Sequence, residues 1–175
     1  HGDIIIELGI TKPEMGGSEY YEYIHNFTGG SVPKVNFITE SKMQILTLEL
    51  IKKGLVNSVN DCSKGGLAIA LVEMSILGEK GINIDLNNVI SECHRIDDVL
   101  FSESHSRMII STNKNHVNKI LDLARNYDVP CSIIGTVKNK DISINMNKKE
   151  IISLTSSDIS KVWSDVIPKC MGEVN

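Results

Sequence analysis

The stretch "NDCSKGGLAIALVEM", residues 60–74, sets Ser63, Lys64 and the adjacent Gly65 and Gly66 ahead of an almost wholly apolar run. Glycine weakens a helix by roughly 1 kcal/mol relative to alanine, so a helix that opens on two of them needs a reason. One reason is chemical. The free amides of a first helical turn, backed by the helix dipole, attract an anion such as phosphate, and Lys64 adds a point charge. The other is mechanical: without a side chain, another backbone can come close. Asp61 opposes an anion unless Lys64 or a magnesium ion intervenes. The spacing is neither the GxxxxGK loop nor GxGxxG, and both readings stand. Ser63 is the expected N-cap.

Two further stretches carry polar chemistry. In "GGSEYYEY", Gly16, Gly17 and Ser18 precede a short aromatic helix, so its first amides are also accessible, as a ligand contact or as a capped loop. Two such starts in one small chain suit a single anion faced by both. In "LFSESHSRMII", Glu103, Ser104, His105, Ser106 and Arg107 crowd in front of an apolar strand. Neighbours on an extended chain point to opposite sides, so Ser, His and Glu in a row are no triad. The stretch reads as a ligand-contact loop with Glu103 and His105 on one side and Ser104 on the other, or as a strand entry salt-bridged at Arg107.

The elements that position these residues follow from periodicity. An Ile-rich strand covers residues 4–8. Thr39 is the expected N-cap of a helix over about 40–53, with Met43, Ile45, Leu46, Leu48, Leu50 and Ile51 as its apolar face and Gly54 as its stop. "LVNSVND" is a strand, and the glycine-led helix follows it to Leu77. "INIDL" and "SRMIIST" are strands, and a helix over about 115–127 turns Val117, Ile120, Leu121 and Leu123 inward. "CSIIGTV", "ISINM" and "EIISL" read as a meander, followed by an amphipathic helix that stops before Pro168. The last strands run together without βαβ regularity, so the expected fold is α+β, a layered α/β/α domain with a mixed sheet.

Composition narrows the classes. The chain has 175 residues, enough for one domain over 1–175, with 41% apolar and 23% charged residues. A net charge of −4 and no basic stripe argue against nucleic-acid binding. No apolar stretch approaches the roughly 20 residues of a membrane span. Cys62, Cys93, Cys131 and Cys170 lie about 30 to 40 residues apart with no CxxC, which suits reduced thiols in the cytoplasm better than disulfides or zinc. The start "HGDIIIELG" has no methionine, so the chain reads as a fragment of a longer polypeptide, with His1 left by a tag or protease site.

The ordered set "MGGSEYYEY", "VNDCSKGGLAIALVEM", "LFSESHSRMII" and "VPCSIIGTV" resembles the C-terminal domain of the AIR-synthase-like ATP enzymes. It is most similar to the synthetase subunits of phosphoribosylformylglycinamidine synthase, over residue 3 to the terminal "ISKVWSDVIP". Each motif is weak alone; four in order are specific. The resemblance implies ATP-dependent amidination of formylglycinamide ribonucleotide in purine biosynthesis, with magnesium, and with ammonia from a glutaminase partner. It also implies that the chain is the second of two C-terminal halves. These pair with N-terminal halves of the same subunit as a pseudo-dimer, and the N-terminal halves hold the catalytic histidine and the magnesium carboxylates. This chain then carries no catalytic residue and no metal ligand, and is inactive alone, with apolar surface through which it would self-associate.

The family's Glu-Ser-Gln substrate contact falls on Glu103, Ser104 and His105, where the histidine departs. The family's HDxSDGG falls on "NDCSKGG", where Asn60 and Lys64 depart. The resemblance therefore also fits a degenerate nucleotide site or a scaffold. The alternatives are the same domain of AIR synthase, selenophosphate synthetase, thiamine-phosphate kinase or the hydrogenase-maturation carbamoyl dehydratase. The last needs a cysteine at its extreme C-terminus, whereas "MGEVN" follows Cys170. From a different class comes a stand-alone phosphate-binding or assembly module.

Overall fold

The first strand shows how the layers form. In "IIIEL", β1 (Ile4–Leu8), Ile5 sinks into one core while Ile6 and Leu8 sink into another. A strand that is apolar without alternation is buried on both faces, and β1 lies at the centre of the sheet. The computed structural model describes residues 1–172. Its elements are α1 (Glu19–His25), α2 (Phe37–Lys52), β2 (Ser58–Asp61), α3 (Gly66–Gly78), β3 (Gly81–Asp85), α4 (Ile96–Phe101), β4 (Met108–Thr112), α5 (Val117–Asn126), β5 (Cys131–Lys138), β6 (Ile142–Met146), β7 (Lys149–Leu154) and α6 (Ser156–Cys170). The seven strands form one sheet in the order β2-β4-β1-β5-β3-β6-β7, antiparallel except for β3 and β6. Helices α3 and α4 cover the face of Ile5 and Ile109, and α2 and α5 cover that of Ile6 and Ile110. This is the expected α+β layering around a mixed sheet.

The meander is corrected. Strands β5 and β6 are consecutive in the chain, yet β3 lies between them, paired antiparallel with β5 and parallel with β6. Only β6 and β7 form a hairpin. The link from β5 to β6 must pass over the start of β3, and Gly81 is the residue it crosses. A β-carbon there would sit 2.1 Å from the Lys140 carbonyl oxygen, and the neighbouring Ile82 amide donates to Asp141 O at 3.0 Å.

Three helix expectations also change. Helix α2 starts earlier, because the Asn36 carboxamide oxygen accepts from both Ile38 N and Thr39 N at 3.1 Å, leaving Thr39 inside the first turn. Its inward face is Met43, Leu46, Thr47 and Leu50, the i, i+3, i+4, i+7 stripe of a single surface; Ile45, Leu48 and Ile51 face outward. Helix α3 is capped by Gly65 in a left-handed conformation, with no side-chain bond, so Ser63 is not its cap. Helix α6 runs through Pro168 to Cys170; a proline in the last turn removes one backbone bond and leaves little helix to break. On α5, Val117 and Ile120 are buried as expected, with Leu121 and Leu123 half-buried beside them.

Gly81→Ala is expected to destabilise the chain by about 3 kcal/mol, since the clash is with backbone that cannot rotate away. Urea unfolding checks this: an unchanged midpoint would show that the crossing does not depend on the missing side chain.

Candidate functional site

Gly66 answers the question of the paired glycines mechanically. A β-carbon there would lie 2.4 Å from the Ser102 carbonyl oxygen and 2.9 Å from the Phe101 carbonyl carbon. The start of α3 therefore rests directly on the end of α4, and on the 102–106 loop that follows it. The Gly66 amide is also engaged, donating to Ser63 O at 3.1 Å.

The Gly65 amide does meet an anion, and the anion belongs to the chain itself. Glu103 Oε1 accepts from Gly65 N at 2.8 Å and from Glu19 N, the first residue of α1, at 3.0 Å. Both glycine-led helix starts thus face one carboxylate, 38 and 84 residues away in sequence. The macrodipoles and open amides that favour an anion are served by Glu103. Lys64 closes the same corner, its Nζ 2.7 Å from Glu19 Oε1. That pair is largely exposed and contributes little to stability.

Ser18 caps α1 as expected, its hydroxyl accepting from Tyr21 N at 3.3 Å. Gly16 and Gly17 shape the loop before it: a β-carbon on Gly16 would sit 2.1 Å from Ser31 O, and the Gly17 amide donates to Gly29 O at 3.0 Å. Neither glycine, nor Ser18, Gly65 or Gly66, lines the cleft that gathers five of the candidates. That cleft, about 280 Å³, is lined by Asp61, Ser63, Lys64, Glu103 and His105 together with Glu40, Cys62, Ser106, Arg107 and Met108. Ser104 turns away from it, as the alternation predicts. Its buried hydroxyl accepts from Lys12 N at 3.0 Å and lies 3.1 Å from Ser102 Oγ. Asn60 also points away, its amide donating to Ala70 O and Glu73 Oε2 at 3.3 Å.

Sequence reasoning missed Glu40 and Glu7 and misjudged Arg107. Glu40, on α2, accepts from the Ser106 hydroxyl at 2.6 Å, and this bond holds its carboxyl below the usual range. Arg107 is 2% exposed and makes no ion pair within 4.0 Å among the described residues. It donates to the carbonyls of Ser102 and Ser104 and to Thr11 Oγ1. The salt-bridged entry is thus replaced by a buried guanidinium spread over backbone oxygens. The one cue in the sequence was Glu7, a lone acid in an apolar strand. It is fully buried, accepts from Thr11 Oγ1 at 3.2 Å, and sits opposite Ser132 on β5. Both Glu7 Oε2 and Ser132 Oγ lack a partner among the described residues.

Burial pushes the Glu7 carboxyl up to about 7, against the pull of Arg107 and the Thr11 bond. Burial likewise pushes the Cys62 thiol up to about 12, which removes it as a nucleophile at neutral pH. All four cysteines are unpaired. Among the described residues no three His, Cys, Asp or Glu side chains gather as a metal site, and no helix is long and apolar enough to cross a membrane.

The Glu7 shift has a definite sign. Between the ordinary glutamate value near 4.3 and about 7, the folded chain keeps a proton that the unfolded chain has released. Stability is therefore greatest at the acid end of that window and falls as pH rises through it. Glu7→Gln is expected to flatten this slope and to stabilise the chain at pH 8 by about 1–3 kcal/mol. Urea midpoints of parent and variant from pH 5 to 8 check it; parallel profiles would show that Glu7 titrates normally.

The AIR synthase related protein C-terminal domain family matches residues 1–146. The chain is 38% identical over 172 residues to the phosphoribosylformylglycinamidine synthase subunit PurL of Methanococcus aeolicus, covering 98% of this chain and 23% of that protein. With the PurL subunit of Methanocaldococcus jannaschii the identity is 39% over 174 residues, 99% of this chain and 23% of the relative. The chain thus spans about a quarter of the length of these relatives. In fold it is similar to T. maritima PurL complexed with FGAR, with a TM-score of 0.80 at 20% identity over 91% of this chain and 28% of the other. It is also similar to the hydrogenase maturation protein HypE of E. coli, with a TM-score of 0.62 at 15% identity over 87% of this chain and 49% of the other. The glycine-led helix start, the 102–106 loop and the layered sheet are thus features of a chain that belongs to the AIR synthase related protein C-terminal domain family.

Proposed function

We propose that this chain works as a C-terminal domain, over 1–175, of a phosphoribosylformylglycinamidine synthase subunit in purine biosynthesis. The observation that carries the reading is identity of 38–39% along nearly the whole chain to subunits of that name. In the reaction, the γ-phosphoryl group of ATP passes to the amide oxygen of formylglycinamide ribonucleotide. Ammonia then displaces phosphate to leave the amidine, ADP and phosphate. The ammonia comes from a glutaminase partner, and N-terminal halves of the same subunit complete the site as a pseudo-dimer in the cytoplasm. The domain alone turns nothing over.

The residues of this chain limit its share of that chemistry. Three carboxylates, Glu40, Asp61 and Glu103, line the cleft, and the Gly65 amide is already bonded to Glu103. Such a surface suits hydrogen-bond donors, the hydroxyls or amide N–H groups of a substrate, better than a triphosphate. The residues do not fit magnesium as a group, since no three ligating side chains gather among those described. Glu103 and His105, with Ser63 and Lys64 at the rim, are the substrate-facing residues, and Glu103 is the principal acceptor. Ser104 supports the loop from within, and Gly16, Gly17, Ser18, Gly65 and Gly66 shape the two helix starts.

In the longer polypeptide that carries this chain, Glu103→Gln is expected to raise KM for formylglycinamide ribonucleotide about tenfold, with a smaller change in kcat. That corresponds to one charged hydrogen bond of about 1.4 kcal/mol. Steady-state kinetics with ammonia as nitrogen donor measures it. Unchanged KM and kcat would remove Glu103 from substrate binding.

A further inference from the structure

The position of Glu103 depends on a residue that never reaches the open cleft with its charge. We propose that Arg107 is a positioning residue whose buried guanidinium fixes the peptide plane before Glu103 and the one after Ser104, and so aims the Glu103 carboxylate at the two helix-start amides.

The geometry is specific. Arg107 Nε donates to Ser104 O at 3.0 Å, Nη2 donates to Ser102 O, and Nη1 donates to Thr11 Oγ1 at 3.0 Å. Ser102 and Ser104 are the residues before and after Glu103, so one rigid fork holds the peptide unit that enters Glu103 and the unit that leaves Ser104. The Thr11 hydroxyl in turn donates a hydrogen bond to Glu7 Oε1 at 3.2 Å, which anchors the far side of the fork to β1. The same loop is stitched to residues 12–14 by Lys12 N to Ser104 Oγ at 3.0 Å, Glu14 N to Ser102 Oγ at 3.3 Å and Glu103 N to Glu14 O at 3.4 Å. A lysine could place a charge at 107 but could not bond three acceptors in one plane. Ser106, next to Arg107, takes a left-handed backbone at φ 60°, which turns the chain from the loop into β4. Gly9 makes room for that turn, since a β-carbon on it would lie 2.3 Å from Ser106 O.

The functional meaning of this relay rests on Glu103 as a substrate contact, while its geometry stands apart from that reading. The test therefore reads the geometry. In nitrogen-15 NMR of the 175-residue chain, the Gly65 and Glu19 amides report the Glu103 bridge, and the Ile120 amide in α5 reports the global fold. Glu103→Gln and Arg107→Lys are each expected to move the Gly65 and Glu19 signals in the same direction and to speed their exchange about tenfold, with Ile120 unmoved. The double variant is expected to add nothing further, because Arg107 acts through Glu103. Parent-like Gly65 and Glu19 signals in Arg107→Lys, or full additivity in the double variant, would overturn the proposal. If Arg107→Lys does not fold, Thr11→Val removes one acceptor of the fork and leaves the guanidinium in place. A smaller shift of the same two amides is then expected, and none would overturn the relay equally.

Discussion

A single carboxylate oxygen, Glu103 Oε1, is shared between the first amides of two helix starts. Helix N-termini leave amides unsatisfied and present positive potential, so each glycine-led loop needs an acceptor. One acidic side chain from a third segment serves both, which locks the loop before α1, the start of α3 and the 102–106 loop into one corner. Gly66 permits this by letting Ser102 O approach where a β-carbon would stand. Remove the glycine and the loop cannot come near; remove the carboxylate and two amides lose their partner.

Beneath that corner the sheet carries polar groups where apolar ones would be easier to bury. Arg107 and Glu7, the latter on the Ile5 face of β1, are both buried and are joined through Thr11 rather than directly. Burying both without a direct ion pair carries a desolvation penalty, and the raised Glu7 pKa is its signature. The structure tolerates the penalty where it shapes the loop above. On the opposite face of the sheet, the α2 and α5 core of Ile6, Leu8, Met43, Leu46, Leu50 and Ile120 holds no buried charge, only the hydroxyls of Thr47 and Thr112.

Local chemistry was legible in the sequence, and long-range geometry was not. The glycines and Ser18 marked two helix starts correctly because capping and turn preferences are local. The alternation in "SESHS" placed Ser104 opposite Glu103 and His105 for the same reason. What the sequence hid was the acceptor: nothing in residues 60–66 or 16–19 says that Glu103 will reach them. The strand order was hidden too, because a three-residue link between β5 and β6 looks like a hairpin until β3 is known to pass beneath it at Gly81. The start of α2 was missed because Phe37 and Ile38 are exposed, so the apolar pattern begins after the helix does. Ser63 misled because a left-handed Gly65 needed no side-chain cap.

Family membership rests on the match over residues 1–146, and the functional account adds that the domain acts inside a larger synthase subunit. Denaturing immunoblot of extract from the source cells, with antibody against this domain, tests that addition most directly. The account predicts a product about four times the 19.3 kDa of this chain, in line with relatives of which it covers 23%. A product near 19.3 kDa would contradict it, since the domain would then act without the N-terminal halves that the proposed synthase chemistry requires.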